Sequence, residues 1–371
     1  MILKKISLVN FKNFKGIEVS LNPKINCFVG NNGQGKTTLL DAIYYLSFCK
    51  SFLNPIDSQN INFLENFFIL QGEYERKDKI ERIHCGIKKG QKKSFKRNKK
   101  EYEKLSDHIG LFPLVIISPG DSDLIALGSD LRRKFLDGII SQFDNAYLEK
   151  LIVYNKALTQ RNALLKYFQK NRTFNQDQLD GWDAHLVKHG QILYEKRQKL
   201  IEELTPVFQK YYRQISGGKE DVGLVYESQL SNGDFLGQLR NALPDDSRKL
   251  FSTVGVHKDD LLFQIQGSPI KKFGSQGQQK SFLIALKLAQ LEFLKNVVGI
   301  NPILLLDDVF DKLDEERVSH LLEMVNGNQF GQIFLSDTHP RRIEDILSKL
   351  QLESSVFEVS NLEIQERTCL N

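Results

Sequence analysis

Three groups of residues in this chain have side chains suited to handling a triphosphate. The first is GNNGQGKTT, Gly30 to Thr38, in which Gly30, Gly35, Lys36 and Thr37 fit the pattern G-x-x-x-x-G-K-[ST]. Glycines let a backbone curl until several N–H groups face one anion, and the dipole of the following helix favours the same charge. Lys36 is expected to reach the β- and γ-phosphates of ATP, and Thr37 to offer its hydroxyl to Mg²⁺. Asn31, Asn32, Gly33, Gln34 and Thr38 complete the expected nucleotide loop. The second group is Asp307 and Asp308, directly after the apolar run Ile303 to Leu306. Asp307 is suited to hold Mg²⁺ through water, and Asp308 to orient or deprotonate an attacking water. The third is GSQGQQK, where Ser275, Gly277 and Gln278 open a helix and form another anion-binding helix start. An ordinary structural cap would explain the helix start equally well, but it does not require that sequence.

These groups need elements to hold them. Ile25, Cys27, Phe28 and Val29 form an apolar run ending at Gly30, and Leu39, Leu40, Ile43, Tyr44 and Leu46 recur at helical spacing after Thr37. Strand, glycine-rich turn and helix are therefore predicted in that order, the context this motif requires. Further strands are predicted at ILKKISLVNF, IEVSL, FFILQGEY, RIHCGIKK and LFPLVIIS. From about Leu131 to Tyr212 the strand signal disappears, and three segments show helical spacing, with NRTFNQDQLDG as a loop between two of them. Strands return at VGLVYES and DLLFQIQ, followed by a helix from about Gln276 to Val298, the strand ILLLDD, a helix and the strand QIFLSD. With the phosphate loop near one end and ILLLDD near the other, a nucleotide domain split by a helical insertion is expected. The predicted domains are 1–122, 123–250 and 251–371.

Composition narrows the class. A 41% hydrophobic and 26% charged chain reads as an ordinary globular protein. No apolar run approaches the roughly 18 residues needed to span a bilayer. The opening residues lack a secretory pattern, and Cys27, Cys49, Cys85 and Cys369 are scattered, so a reducing cytoplasm is expected and no membrane partner. The net charge is only +5, but Lys88 to Lys104 concentrates basic residues, including Lys92, Lys93, Lys96, Arg97, Lys99 and Lys100. That run reads either as a patch for phosphates or as a solvated hairpin.

GSQGQQK resembles the LSGGQ-like signature of the ABC-type ATPase superfamily. Phe310 to Asp314 resembles that superfamily's D-loop, and Thr338 and His339 lie where its switch residue belongs. LKKISLVNFKNFKGIEVSL resembles the start of the chromosome and repair branch. GSDLRRKFLDGIISQFD, YNKALTQRNALLK, GWDAHLVKHG and VGVHKDDL, in that order, are similar to segments of the RecF family. Two departures stand out. Ser118-Pro119-Gly120-Asp121 occupies a loop that commonly reads S-P-E-D, and no glutamine marks a Q-loop.

The resemblance implies an α/β fold: an ABC-type P-loop ATPase head, a split mixed β-sheet with helices, carrying an inserted α-helical lobe. It implies that ATP drives a head-to-tail homodimer in which Ser275, Gly277, Gln278 and Asp314 of one subunit meet the nucleotide of the other. Lys36, Asp308 and His339 would then be the catalytic residues, with Thr37 and Asp307 at the metal. It further implies slow, DNA-dependent ATP hydrolysis on double-stranded and gapped DNA, without sequence preference, in a pathway with RecR, RecO and RecA. Arg132 and Arg133 join the lysine cluster as DNA candidates, with a structural ion pair to the ATPase lobe as the other reading of both. A transporter nucleotide-binding subunit is the main alternative, disfavoured by the long helical insert. A nuclease-linked repair ATPase is a lesser one.

Overall fold

The computed structural model describes residues 1–218, 220–309, 331–349 and 353–367. Two compact units emerge, one formed by Met1–Asp121 with Gln290–Asn371, the other by Ser122–Ala289. Residues 251–289 cluster with the helical unit rather than with the expected third segment.

The first unit contains two six-stranded sheets. One runs β2-β1-β4-β5-β6-β7 and is antiparallel throughout: β1 Ile2–Phe11, β2 Phe14–Ser20, β4 Phe67–Arg76, β5 Lys79–Lys88, β6 Ser94–Arg97 and β7 Lys100–Glu101. Its strands alternate; in β1 Leu3, Ile6 and Leu8 face the core while Lys5 and Ser7 face out. Within the basic run lies the β6–β7 hairpin, which turns at Asn98 and Lys99, both with positive φ.

The other sheet runs β15-β14-β3-β13-β12-β8: β3 Ile25–Val29, β8 Leu114–Ile117, β12 Ile303–Leu306, β13 Ile333–Asp337, β14 Ser354–Ser360 and β15 Glu363–Arg367. All its neighbours are parallel except β14 and β15. INCFV and ILLL are buried at every position because central parallel strands are covered on both faces. Helix α1, Lys36–Phe48, follows the phosphate loop. Phe11, Tyr45 and Phe68 meet edge to face in a core that also takes in Phe28, Leu305, Phe334 and Phe357.

The second unit is built from α2 Asp123–Ala126, α3 Ser129–Ile140, α4 Asn145–Asn171, α5 Gln176–Ser216, α6 Phe235–Lys249, α7 Ile270–Phe273 and the first part of α8 Gln276–Val298. Its sheet is β11-β10-β9: β9 Val222–Glu227, β10 Asp260–Ile265 and β11 Ser268–Pro269. The predicted loop NRTFNQDQLDG shrinks to Arg172–Asn175, because Asn175 caps α5 by accepting from the Gln178 N–H. α5 then continues for 41 residues through Pro206.

Buried ion pairs join these helices. Arg161, fully buried on α4, bonds Asp183 at 2.5 Å and Asp246 at 2.6 Å. Arg197 on α5 reaches Asp137, Asp259 and the Val256 carbonyl. In the apolar interior such charges are tolerable only because each is paired. Helix α9, Pro340–Lys349, completes the described elements of the first unit. Among the described residues, no helix is long and apolar enough to cross a membrane.

Candidate nucleotide site and basic surfaces

The phosphate loop leaves β3 at Gly30 and enters α1 at Lys36. Gly30, Gly33 and Gly35 have φ of 149°, 80° and 107°, a region costly for any side chain. Two of them are also crowded. A Cβ on Gly30 would lie 2.3 Å from the Val359 carbonyl oxygen, and one on Gly35 would lie 2.7 Å from the Phe14 ring. The loop is braced at its back by β1–β2 and β14, leaving Asn31, Asn32 and Gly33 exposed in front. Gln34 turns backward, its Oε1 accepting from the Asn361 N–H at 2.7 Å. Thr38 is buried beneath the loop. Lys36 is also buried, with its Nζ donating to the carbonyls of Gly30 at 2.8 Å and Asn31 at 3.1 Å. The ammonium therefore curls over its own loop, inside the cradle where a phosphate would lie.

Asp307 emerges at the carboxyl end of β12, next to β13 and β8. Open α/β sheets present their ligand sites at this end. Its Oδ1 accepts from Thr37 Oγ1 at 2.9 Å and from Ser336 Oγ at 2.8 Å. Burial pushes the Asp307 carboxyl above the ordinary carboxylate range, while the Ser336 and Thr37 bonds pull it back down. Asp308 follows with φ 45°, a conformation rarely populated by non-glycine residues, and its N–H donates to Ser336 Oγ at 2.9 Å. Ser336, fully buried on β13, is the residue that sequence reasoning missed. A single serine within an apolar strand carries no signal until β12 and β13 are known to be neighbours.

The geometry suits a nucleotide-borne Mg²⁺. Among the described residues there is no group of three or more His, Cys, Asp or Glu that could hold a metal alone. Thr37 and Asp307 supply one hydroxyl and one carboxylate, the protein share expected when phosphates and water complete the shell.

His339 also lies just past β13, its N–H bonded to Asp337 Oδ1 at 2.6 Å and its Nδ1 2.9 Å from Thr338 Oγ1. Asp337 is in turn held by Arg342 at 2.5 Å. The expected D-loop, Phe310 to Asp314, lies outside the described residues.

In the second unit, Ser275 caps α8. Its Oγ accepts from the Gln278 N–H at 3.2 Å, and Gln278 Oε1 accepts from the Ser275 N–H at 2.6 Å. This reciprocal capping box commits the Gln278 side chain. In this structure the Gln278 side chain is engaged in the cap, while Ser275 is exposed and Gly277 lies in the first turn.

The basic candidates divide. Lys93 Nζ bonds Asp57 at 2.8 Å and the Cys49 carbonyl at 2.6 Å, and lies over the Tyr45 ring. Arg97 forms a two-pronged pair with Glu81. Arg132 forks onto Asp260 and also bonds the Leu124 and Leu127 carbonyls, while Arg133 bonds Ser129 and the Asp259 carbonyl. In this structure these four side chains make internal ties. Lys92, Lys99 and Lys100 are exposed and Lys96 is half-buried. Lys96 and Lys99 line a groove of about 450 Å³ on the outer face of the antiparallel sheet, with His84 and with Lys5 and Arg82, which pair there with Glu18 and Glu73.

With this geometry in place, comparison with known proteins decides the family. The family model for the RecF/RecN/SMC N terminal domain matches residues 2–355. The DNA replication and repair protein RecF of Flavobacterium johnsoniae is 54% identical over 357 residues, covering 96% of this chain and 99% of that protein. The chain belongs to the RecF family. Another RecF, from Phocaeicola vulgatus, is 52% identical over 369 residues and covers 99% of both chains. A solved structure of the recombination mediator protein RecF-ATP in the RecFOR pathway superposes with a TM-score of 0.89 at 31% identity, over 99% of this chain and 98% of that one. The Smc head domain of Pyrococcus furiosus, with a TM-score of 0.58 at 15% identity over 99% and 96% of the two chains, shares the fold. The architecture is thus a RecF- and SMC-type ATPase head with a long helical insertion.

Proposed function

We propose that this chain is an ATP-binding DNA-repair ATPase that pairs head to tail when ATP binds, grips DNA, and hydrolyses ATP slowly. Through RecR and RecO it would help direct RecA onto single-strand gaps in the cytoplasm. The observation that carries the reading is the meeting of Lys36, Thr37, Asp307 and Ser336 at one end of the parallel sheet. Lys36 and the loop N–H groups would hold the triphosphate. Mg²⁺ at Thr37 and Asp307 would supply charge neutralisation when bound, and Asp308 would accept a proton from the attacking water. His339 is the group proposed to sense the γ-phosphate. The names of the RecF relatives, which speak of DNA replication and repair, support the repair assignment. The RecF-ATP structure supports ATP as ligand.

The resemblance of GSQGQQK to the signature supports a head-to-tail pair. Ser275 is an exposed serine at a helix start, suited to a partner's phosphate, and Asp314 would contact the same partner. DNA would be held through Lys92, Lys96, Lys99 and Lys100, which can neutralise phosphates without reading bases.

Sedimentation velocity tests the pairing. Wild type should be mainly monomeric without nucleotide and dimeric with ATP and Mg²⁺. Asp308→Asn should accumulate the dimer by blocking hydrolysis, whereas Lys36→Met and Ser275→Arg should prevent it. A Ser275→Arg chain that still pairs with ATP would rule out the head-to-tail arrangement.

A further inference from the structure

The capping box at Ser275 has a third member. Gln278 uses its Oε1 on the Ser275 N–H, and its Nε2 donates to Glu220 Oε1 at 2.5 Å. The other oxygen of Glu220 accepts from Tyr212 Oη at 2.6 Å, near the end of α5. Both carboxylate oxygens are thus engaged, and these two bonds hold the Glu220 carboxyl below its ordinary range. The place of Glu220 is fixed from both sides. Gln209 on α5 donates to the Val222 carbonyl at 2.8 Å, just downstream, and Phe208, Tyr212 and Phe263 surround Phe282 on α8, one turn beyond Gln278.

We propose that Glu220 is a positioning residue for the signature serine, latching the end of α5 to the first turn of α8. The argument rests on the head-to-tail reading above and on the chemistry of an amide. A carboxamide can be turned over, exchanging its donor end for its acceptor end. A carboxylate only accepts, so Glu220 forces the NH₂ of Gln278 toward itself and the Oε1 toward the Ser275 N–H. The Ser275 backbone is thereby fixed. Its hydroxyl oxygen already accepts from the Gln278 N–H, which leaves its proton to be donated outward from an exposed helix start. Without Glu220 the amide loses its orienting acceptor, and the donor meant for the partner's phosphate is no longer held ready. The latch also ties the signature to α5, the helix whose Arg197 joins Asp137 and Asp259.

Glu220→Ala and Glu220→Gln in the full chain test this, read by hydrogen exchange, binding of a fluorescent ATP analogue, and ATP-dependent sedimentation. Glu220→Ala should speed amide exchange in the peptide covering residues 274–279, leave analogue binding to the chain's own loop unchanged, and weaken pairing about tenfold, the scale of one charge-assisted bond. Glu220→Gln, whose own amide keeps one acceptor for Gln278 but can also be turned over, should fall between wild type and Glu220→Ala in exchange and pairing, with analogue binding unchanged. Unchanged exchange in Glu220→Ala overturns the latch, whether or not the chain pairs. Faster exchange with wild-type pairing overturns its positioning role, as does a Glu220→Gln chain no better than Glu220→Ala, or a parallel loss of analogue binding. A wild-type chain that stays monomeric with ATP would instead overturn the head-to-tail reading and the positioning role with it.

Discussion

Replacing Ser336 with alanine removes one hydroxyl from the point where β12 and β13 meet, and the consequence can be worked out. Asp307 is 5% exposed and has Ser336 and Thr37 as its hydrogen-bond donors. The Asp308 N–H has the same serine as its acceptor. Hydrogen bonds to a charged group contribute about 1.5–3 kcal/mol. At about 1.4 kcal/mol per factor of ten, kcat for ATP should fall on the order of 10- to 100-fold. The pH profile gives a second, independent readout. The Asp307 carboxyl lies above its ordinary range because burial disfavours its charge, and Ser336 offsets part of that. Loss of the donor raises it further, so the acid limb of the activity should move to higher pH. For stability the sign is the same: a carboxyl raised by folding binds its proton more tightly when folded. Ionising it at neutral pH costs stability, and that cost fades as the pH falls through the raised value. Ser336→Ala should therefore lose more stability at neutral pH than in acid. The assay is steady-state ATP hydrolysis at saturating ATP across pH and Mg²⁺ concentration, with denaturant melts alongside. A variant with wild-type kcat and an unmoved acid limb would refute the assignment of Asp307 as the ionised anchor.

Other outcomes follow from the same contacts. Gly30→Ala should abolish nucleotide binding, since its Cβ would meet the Val359 carbonyl oxygen at 2.3 Å; isothermal titration with ATP reads this directly. Arg161→Ala should lower stability by about 3–5 kcal/mol in urea melts, because it strands Asp183 and Asp246 in the interior. Joint replacement of Lys96 and Lys99 by alanine should weaken duplex binding and flatten its dependence on salt, roughly one unit of log–log slope per lost phosphate contact. Arg133→Ala should leave that slope unchanged, because its guanidinium is already bonded to Ser129 and the Asp259 carbonyl.

What the sequence made legible was chemistry whose partners are close along the chain. The phosphate loop, its strand and its helix lie within Ile25 to Phe48, and their glycine spacing has few other uses. The apolar runs INCFV and ILLL pointed to buried strands for the same reason. The basic run from Lys88 to Lys104 allowed a hairpin as one of two readings. Its only inward residue in β6 is Phe95, and no spacing rule shows that Lys93 turns inward to Asp57. Arg132 and Asp260 are 128 residues apart, so the partner of Arg132 could not be named from the sequence. Helix α6 went unread because Pro244 lies inside it and its buried face is only Phe235, Leu239 and Asp246. Gln278 was assigned to the nucleotide because of its signature motif, whereas its side chain is held by Ser275 and by Glu220, 58 residues away.

The measurement that bears most directly on the account is ATP hydrolysis over a range of protein concentrations, with and without duplex DNA carrying a single-strand gap. An ATP-closed pair acting on DNA predicts a rate per molecule that rises with concentration and rises again when gapped DNA is added. A rate that stays flat in both would leave the Lys36 and Asp307 site standing but contradict the ATP-driven, DNA-bound dimer.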